Sequence, residues 1–272
     1  MIVLNRPRPP VGATFINRRS RQLVGLVFAI PPTLNAGNIC GSTTYPHYEL
    51  FGRRGKDASE VLSNFWVIDK DFGPVWRESD VARHINFGLC NNITAGLTKL
   101  TLSAWVNFVS TVSGHILTKQ QGGVGSDWQW VFSTTTNLQW RLWTSTGNTT
   151  HNMTLPAIPA GQWNHFVAVY DGAQMQQYMN GRPLVALSAR TGTTSDAGGL
   201  TVPLTMYNNN VLGQKLIGSI HDPRIYNRAL GPGEIWEMYD PRTRWELYSP
   251  SGLYVPQLAG GGVVTRSYGY IF

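Results

Sequence analysis

Among the fifteen carboxylates in the 272-residue chain, only Asp69/Asp71 and Glu78/Asp80 lie two positions apart. Glycoside hydrolysis needs a carboxyl pair at fixed separation, one member as acid and the other as nucleophile or base. Both pairs flank the turn signal Gly73-Pro74, so they read first as solvated turn residues. The same four acids are also a candidate calcium set. Hard cations take carboxylates from loops, and Asp69-x-Asp71-x-Gly73 has suggestive spacing, although Pro74 stands where a helix-loop-helix site would want glycine. Histidines 47, 84, 115, 151, 165 and 221 form no HxH or HExxH pattern, and no GxSxG is present. Catalysis is disfavoured, and no cofactor beyond the candidate calcium ion is expected.

Aromatic residues offer a different chemistry, since their faces stack on sugars as readily as they fill cores. The chain has ten tryptophans. Trp105, Trp128, Trp130, Trp140 and Trp163 fall in strand-like runs and default to core or sheet surface. Trp143, followed by Ser145, Asn148, His151 and Asn152, ends a strand and leads into a polar loop. Tyr207 with Asn208, Asn209 and Asn210 makes a similar cluster. If the two loops share a rim, Trp143, Asn148, His151, Tyr207 and Asn209 form a glycan site. Ordinary turn chemistry accounts for them too.

The elements that must position these residues are strands. From Gly161 to Leu187 the sequence reads as a three-stranded meander turned by Asp171-Gly172 and Asn180-Gly181, dipeptides that tolerate the positive φ of tight hairpins. His165, Val167 and Val169 alternate with Asn164, Phe166, Ala168 and Tyr170, so the first strand has two faces. Further strands are expected at Gln22 to Ile30, Val61 to Ile68, His84 to Phe87, Leu100 to Val109, His115 to Lys119, Trp128 to Ser133, Leu138 to Thr144, Leu200 to Met206 and Gly218 to Tyr226. A long loop covers Pro31 to Gly55. The one expected helix runs from about Gly231 to Tyr239, with Pro232 in its first turn and Pro241 beyond its end.

With 42% hydrophobic and 14% charged residues, the chain suits a single all-β domain rich in turns. Its net charge of +7 is concentrated at the start. Residues 1 to 56 hold eight basic residues against Glu49, and the remainder holds fourteen of each sign. Such an arm implies an acidic neighbour or a solubilising role. It lacks the interleaved aromatics that stack on single-stranded bases, so nucleic acid is not an expected partner. Cys40 and Cys90 have no metal-ligand spacing and read as free thiols. No signal peptide is visible, and the longest early apolar run, Leu23 to Pro32, is short of the ~20 residues a membrane helix needs. The Asn-x-Thr sequons at Asn92, Asn148 and Asn152 carry no weight without secretion.

Five stretches resemble the laminin G-like or concanavalin A-like jelly rolls: HINFG (84–88), LTKLTLSAWV (97–106), HILTKQ (115–120), GQWNHFVAVYDGAQMQQYMNGRPL (161–184) and LIGSIHDPRIYNRALGPGEIWEMY (216–239). The resemblance covers roughly residues 80 to 240, with Leu23 to Ile30 similar to the family's opening strand, and implies two packed antiparallel sheets in a domain expected to span 22–248. A basic arm (1–21) would precede them and a Gly/aromatic arm (249–272) would follow. The Glu-x-Asp-x-Glu strand of the fold's glycan hydrolases is absent. YDPRTRWELYSP (239–250) is similar to Trp-x-Leu-Tyr tails found in tailed-phage structural proteins. The implied function is a non-enzymatic virion protein, such as a capsid decoration, made in the host cytoplasm. Arg6, Arg8, Arg18, Arg19, Arg21, Tyr268, Tyr270 and Phe272 would anchor it to capsid or tail subunits or to further copies of itself. The alternatives are a free-standing lectin-like module, a tail-fibre adhesin, or a hydrolase with an unrecognised site. No membrane partner is expected.

Overall fold

The computed structural model describes residues 14–17, 19–30, 47–48, 54–57, 66–78, 85–87, 96–108, 114–121, 125–134, 136–156, 158–195, 202–207 and 216–250. In chain order the strands begin with β1 Thr14–Ile16, β2 Leu26–Ala29, β3 His47–Tyr48, β4 Arg54–Asp57, β5 Trp66–Asp69, β6 Gly73–Glu78 and β7 Ile85–Asn86. There follow β8 Leu100–Phe108, β9 Gly114–Gln121, β10 Gly125–Thr134, β11 Asn137–Thr144, β12 Gly147–Thr154 and β13 Trp163–Tyr170. The last are β14 Gln174–Met179, β15 Arg182–Pro183, β16 Ser188–Ala189, β17 Thr205–Tyr207, β18 Gly218–Tyr226 and β19 Tyr248–Pro250. A single α-helix among the described residues, α1 Pro232–Tyr239, lies between β18 and β19. None of their helices is long and apolar enough to cross a membrane.

Two antiparallel sheets face each other. One has the order β12-β11-β10-β9-β17-β7-β4-β3, and the other β15-β14-β13-β8-β18-β6-β5, with β16 beside β14 and β2 beside β18. Alternation decides what lies between them. Leu102, Ala104 and Val106 of β8, Phe166, Ala168 and Tyr170 of β13, and Trp128, Trp130 and Trp140 of the opposite sheet join one core. The three tryptophans are fully buried. The other face of the second sheet is also covered: Trp105, Val167, Val169 and Tyr178 pack with Ile235 and Met238 of α1 and with Trp245, Leu247 and Tyr248. Both faces of β8 and β18 are therefore buried.

The structure moves several sequence boundaries. The strand expected from Gln22 starts at Leu26, because Arg21–Leu23 is a 3-10 turn capped by Ser20, whose Oγ accepts from the Gln22 N–H at 3.2 Å. Part of the N-terminal arm is an extended strand, since Thr14–Ile16 pairs antiparallel with Tyr248–Pro250. The expected 31–55 loop contains β3 and the start of β4, which pair with each other. Gly73-Pro74 is not the turn: Asp69 pairs with Gly73 and Ile68 with Pro74, so the reversal is at 70–72. The first meander turn closes on Asp171 and Gln174, with Gly172 (φ +100°) and Ala173 in the middle, whereas Asn180 and Gly181 occupy both central positions of the second with φ +52° and +78°. Ser145 and Thr146 turn the chain directly into β12, so the polar loop expected after Trp143 is a strand.

Candidate functional site

The described members of the predicted glycan set do not gather into one site. Trp143 and Asn148 are cross-strand partners at the outer edge of the first sheet. The Arg141 guanidinium lies 5.7 Å above the Trp143 ring while its Nε donates to Thr150 Oγ1 at 3.0 Å. That cation covers one stacking face. His151 is an odd number of residues from Asn148 and points inward, where it is 2% exposed. Its Nε2 lies 2.9 Å from the Ala186 carbonyl, and its Nδ1 lies 3.2 Å from Gln177 Nε2. Burial pushes its pKa down against the hydrogen bond to Ala186, so it serves as a neutral core histidine. Tyr207 is fully buried and its hydroxyl accepts from the Ile220 N–H at 3.0 Å. Asn209 lies outside the described residues.

The candidate calcium acids are separated as well. Asp69 caps its own turn, accepting from the Asp71 and Phe72 N–H groups at 2.8 and 3.0 Å, and Asp71 pairs with Lys70 at 2.7 Å. Glu78 sits at the far end of β6, about 17 Å along an extended strand from Gly73. Asp80 lies outside the described residues. Among the described residues no three His, Cys, Asp or Glu side chains gather around a common point. Of the anchoring residues, Arg19 and Arg21 are exposed beside β1, and Arg6, Arg8, Tyr268, Tyr270 and Phe272 fall outside the described residues, as do Cys40 and Cys90. Arg18 also lies outside the described residues.

A buried polar network ties Gln22 and Tyr248 to β18. Arg224 donates from Nε and Nη2 to the two oxygens of Asp222 at 2.9 and 2.6 Å, and from Nη1 to Gln22 Oε1 at 2.7 Å. Tyr248 donates to Asp222 Oδ1 at 2.5 Å. Burial and the adjacent Asp222 carboxylate push the Tyr248 hydroxyl well above its ordinary value. This network joins residue 22, β18 and residue 248. Its members Gln22, Asp222, Arg224 and Tyr248 are all buried.

What the sequence reading missed is an open groove of about 310 Å³ at the edge of the second sheet. Its floor is the Met179–Asn180 end of the β14–β15 hairpin, its walls are Trp236 and Tyr239 of α1, and Arg182, Leu184 and Pro156 form its rim. Positions 236 and 239 share a helix face by their spacing of three. Ile235 and Met238 turn into the core, which leaves Trp236 40% exposed. Its ring meets Tyr239 at 5.5 Å and 62°, while Tyr239 stacks on Trp105 at 5.8 Å and 21°. Gly181 makes this possible: a Cβ there would lie 2.7 Å from Trp236 Cε3 and 3.3 Å from Tyr239 Cδ1. The indole is thus seated on a rigid type I′ turn with its outer face in solvent. Such a surface stacks on an apolar sugar face, and the groove lies at the low end of ligand-site volumes. The sequence signal was the exposed aromatic one position from the buried Ile235 on an amphipathic helix.

The profile of the concanavalin A-like lectin/glucanases superfamily matches residues 83–236, more than half of the chain. The chain belongs to this superfamily. No curated protein matches it in sequence. Among solved structures it is similar to the binding domain of Paraclostridial Mosquitocidal Protein 1 (TM-score 0.59, 15% identity, 80% of this chain and 52% of that one). It is also similar to the receptor binding domain of botulinum neurotoxin D (0.57, 13%, 80% and 53%). A third is domain 4 of AbnA, an extracellular arabinanase from Geobacillus stearothermophilus, in complex with arabinotriose (0.57, 15%, 79% and 98%). The superfamily member described here therefore spans about half the length of the toxin domains and nearly all of the arabinanase domain.

Proposed function

We propose that this chain is a non-catalytic glycan-binding jelly roll whose ligand seats in the groove against Trp236 and Tyr239. The observation that carries the reading is the exposed, turn-supported Trp236 ring in a groove whose lining holds no Asp, Glu, His or Cys. Glycosidic cleavage needs two carboxyl groups, so a wall without them binds and does not cut. It also has no carboxylate for a metal ion, and the reading takes no cofactor. The arabinotriose bound by the arabinanase domain and the receptor-binding role of the toxin domains support it. A glycan array probed with the wild type and with Trp236→Ala, in calcium and in chelator, tests it. Trp236-dependent, calcium-independent signals are expected. An array silent under both conditions, or signals unchanged by Trp236→Ala, would overturn it.

A second reading concerns where the module works. The β1–β19 pair brings the chain into the domain and out of it side by side, with Thr14 opposite Pro250. That placement favours one partner surface held by both arms, as in a virion subunit of a tailed phage displayed on a head or tail and presenting the groove outward. Particles assembled with a chain lacking residues 1–20 should contain none of it; incorporation at wild-type level would dismiss the anchoring role.

A further inference from the structure

We infer that the groove is built for an acidic sugar unit, its carboxylate accepting from Arg182 while its ring lies on Trp236. This rests on the glycan reading above and names the class of glycan. The side chains that face the groove offer donors almost alone. The Trp236 indole N–H and the Arg182 guanidinium, both from residues lining the groove, donate and never accept. Asn180 is committed to the hairpin: its Nδ2 donates to Asn164 Oδ1 at 2.9 Å, and its Oδ1 accepts from the His165 N–H at 2.9 Å. Tyr239 supplies the single hydroxyl that works either way.

A neutral sugar presents hydroxyls that donate as well as accept, and this wall offers the donating ones few side-chain acceptors. A carboxylate is acceptor-only and matches the planar fork of an arginine bidentately. Arg182 differs in this from Arg224, Arg228 and Arg242, which are each spent on a neighbouring carboxylate. It is exposed, follows directly on the Asn180-Gly181 turn, and is fixed in register opposite Met179 on the groove floor. The Trp236 ring packs against Gly181, the residue directly before Arg182, and both Trp236 and Arg182 line the groove.

Isothermal titration of the full chain with tetragalacturonate and with its methyl ester separates the two claims. The acid should bind the wild type about tenfold or more tightly than the ester, the scale of a charge-assisted pair. The gain should shrink as salt rises. Arg182→Gln should erase the difference between acid and ester, and Trp236→Ala should abolish binding of both. Equal affinity for acid and ester, or a difference that survives Arg182→Gln, overturns the acidic assignment. In that case, Trp236-dependent binding of any neutral oligosaccharide still upholds the groove. If no oligosaccharide, neutral or acidic, binds through Trp236, both fall.

Discussion

His165 should make the fold acid-sensitive by an amount that follows from its surroundings. Its ring is 1% exposed, lies 5.0 Å from the Trp105 ring, and has Nε2 2.9 Å from Ser103 Oγ. Desolvation, reinforced by the Arg224 and Arg244 guanidinium groups, lowers its pKa from 6.5 to about 3. The folded state therefore holds the neutral form, whereas the unfolded chain takes up a proton near pH 6.5. Between those values the unfolded state binds more protons, so stability rises with pH. The contribution is complete above about pH 6.5 and is lost as pH falls from there towards 3. At about 1.36 kcal/mol per unit the whole span is worth about 5 kcal/mol, and the step from pH 7 to pH 5 about 2 kcal/mol. Urea unfolding of the wild type and of His165→Gln at both pH values isolates this group from the other titrating side chains. The wild type should lose about 2 kcal/mol more than the variant between pH 7 and pH 5. Parallel losses in the two proteins would refute the buried neutral histidine.

Other perturbations read other parts of the structure. Asp222→Ala strands a fully buried arginine and should cost about 3–5 kcal/mol, while Asp222→Ala combined with Arg224→Met should recover much of that loss. Denaturant midpoints decide, and a single variant within 1 kcal/mol of wild type would contradict the ion pair at 2.6 Å. Gly181→Ala places a side chain at φ +78° and against the indole, so it should cost at least about 1 kcal/mol and move the Trp236 indole resonance in the free protein. An unmoved resonance would show that the ring is not seated on the turn. Trp140→Ala opens the core between the sheets and should cost about 3–5 kcal/mol in the same unfolding assay.

The fold was legible wherever local chemistry and burial agreed. β18 matches its sequence-read bounds, Gly218 to Tyr226, despite holding Ser219, His221, Asp222 and Arg224, because it lies in the 216–239 stretch that carries the jelly-roll resemblance. The Asn180-Gly181 turn was legible because both residues accept positive φ. β12 was not: its outward residues Asn148, Thr150 and Asn152 are polar, and one inward position is His151, satisfied by Gln177 and Ala186, which no periodicity anticipates. The site failed for a related reason. Trp143, Asn148, His151 and Tyr207 were grouped by composition, but composition does not say which way a strand points its side chains, and two of the four face the core. The groove joins residue 156, the 179–184 hairpin and α1, segments whose proximity is created by packing against Gly181 and Trp105 rather than by any local motif.

The central claim is that the ligand stacks on Trp236, and the most direct measurement is of indole N–H resonances during titration with the oligosaccharide that gives the strongest array signal. The Trp236 resonance should shift in proportion to occupancy while those of the other tryptophans, Trp143 included, stay in place. A ligand that shifts Trp143 and leaves Trp236 unmoved would put the site on the outer face of the first sheet and contradict this account.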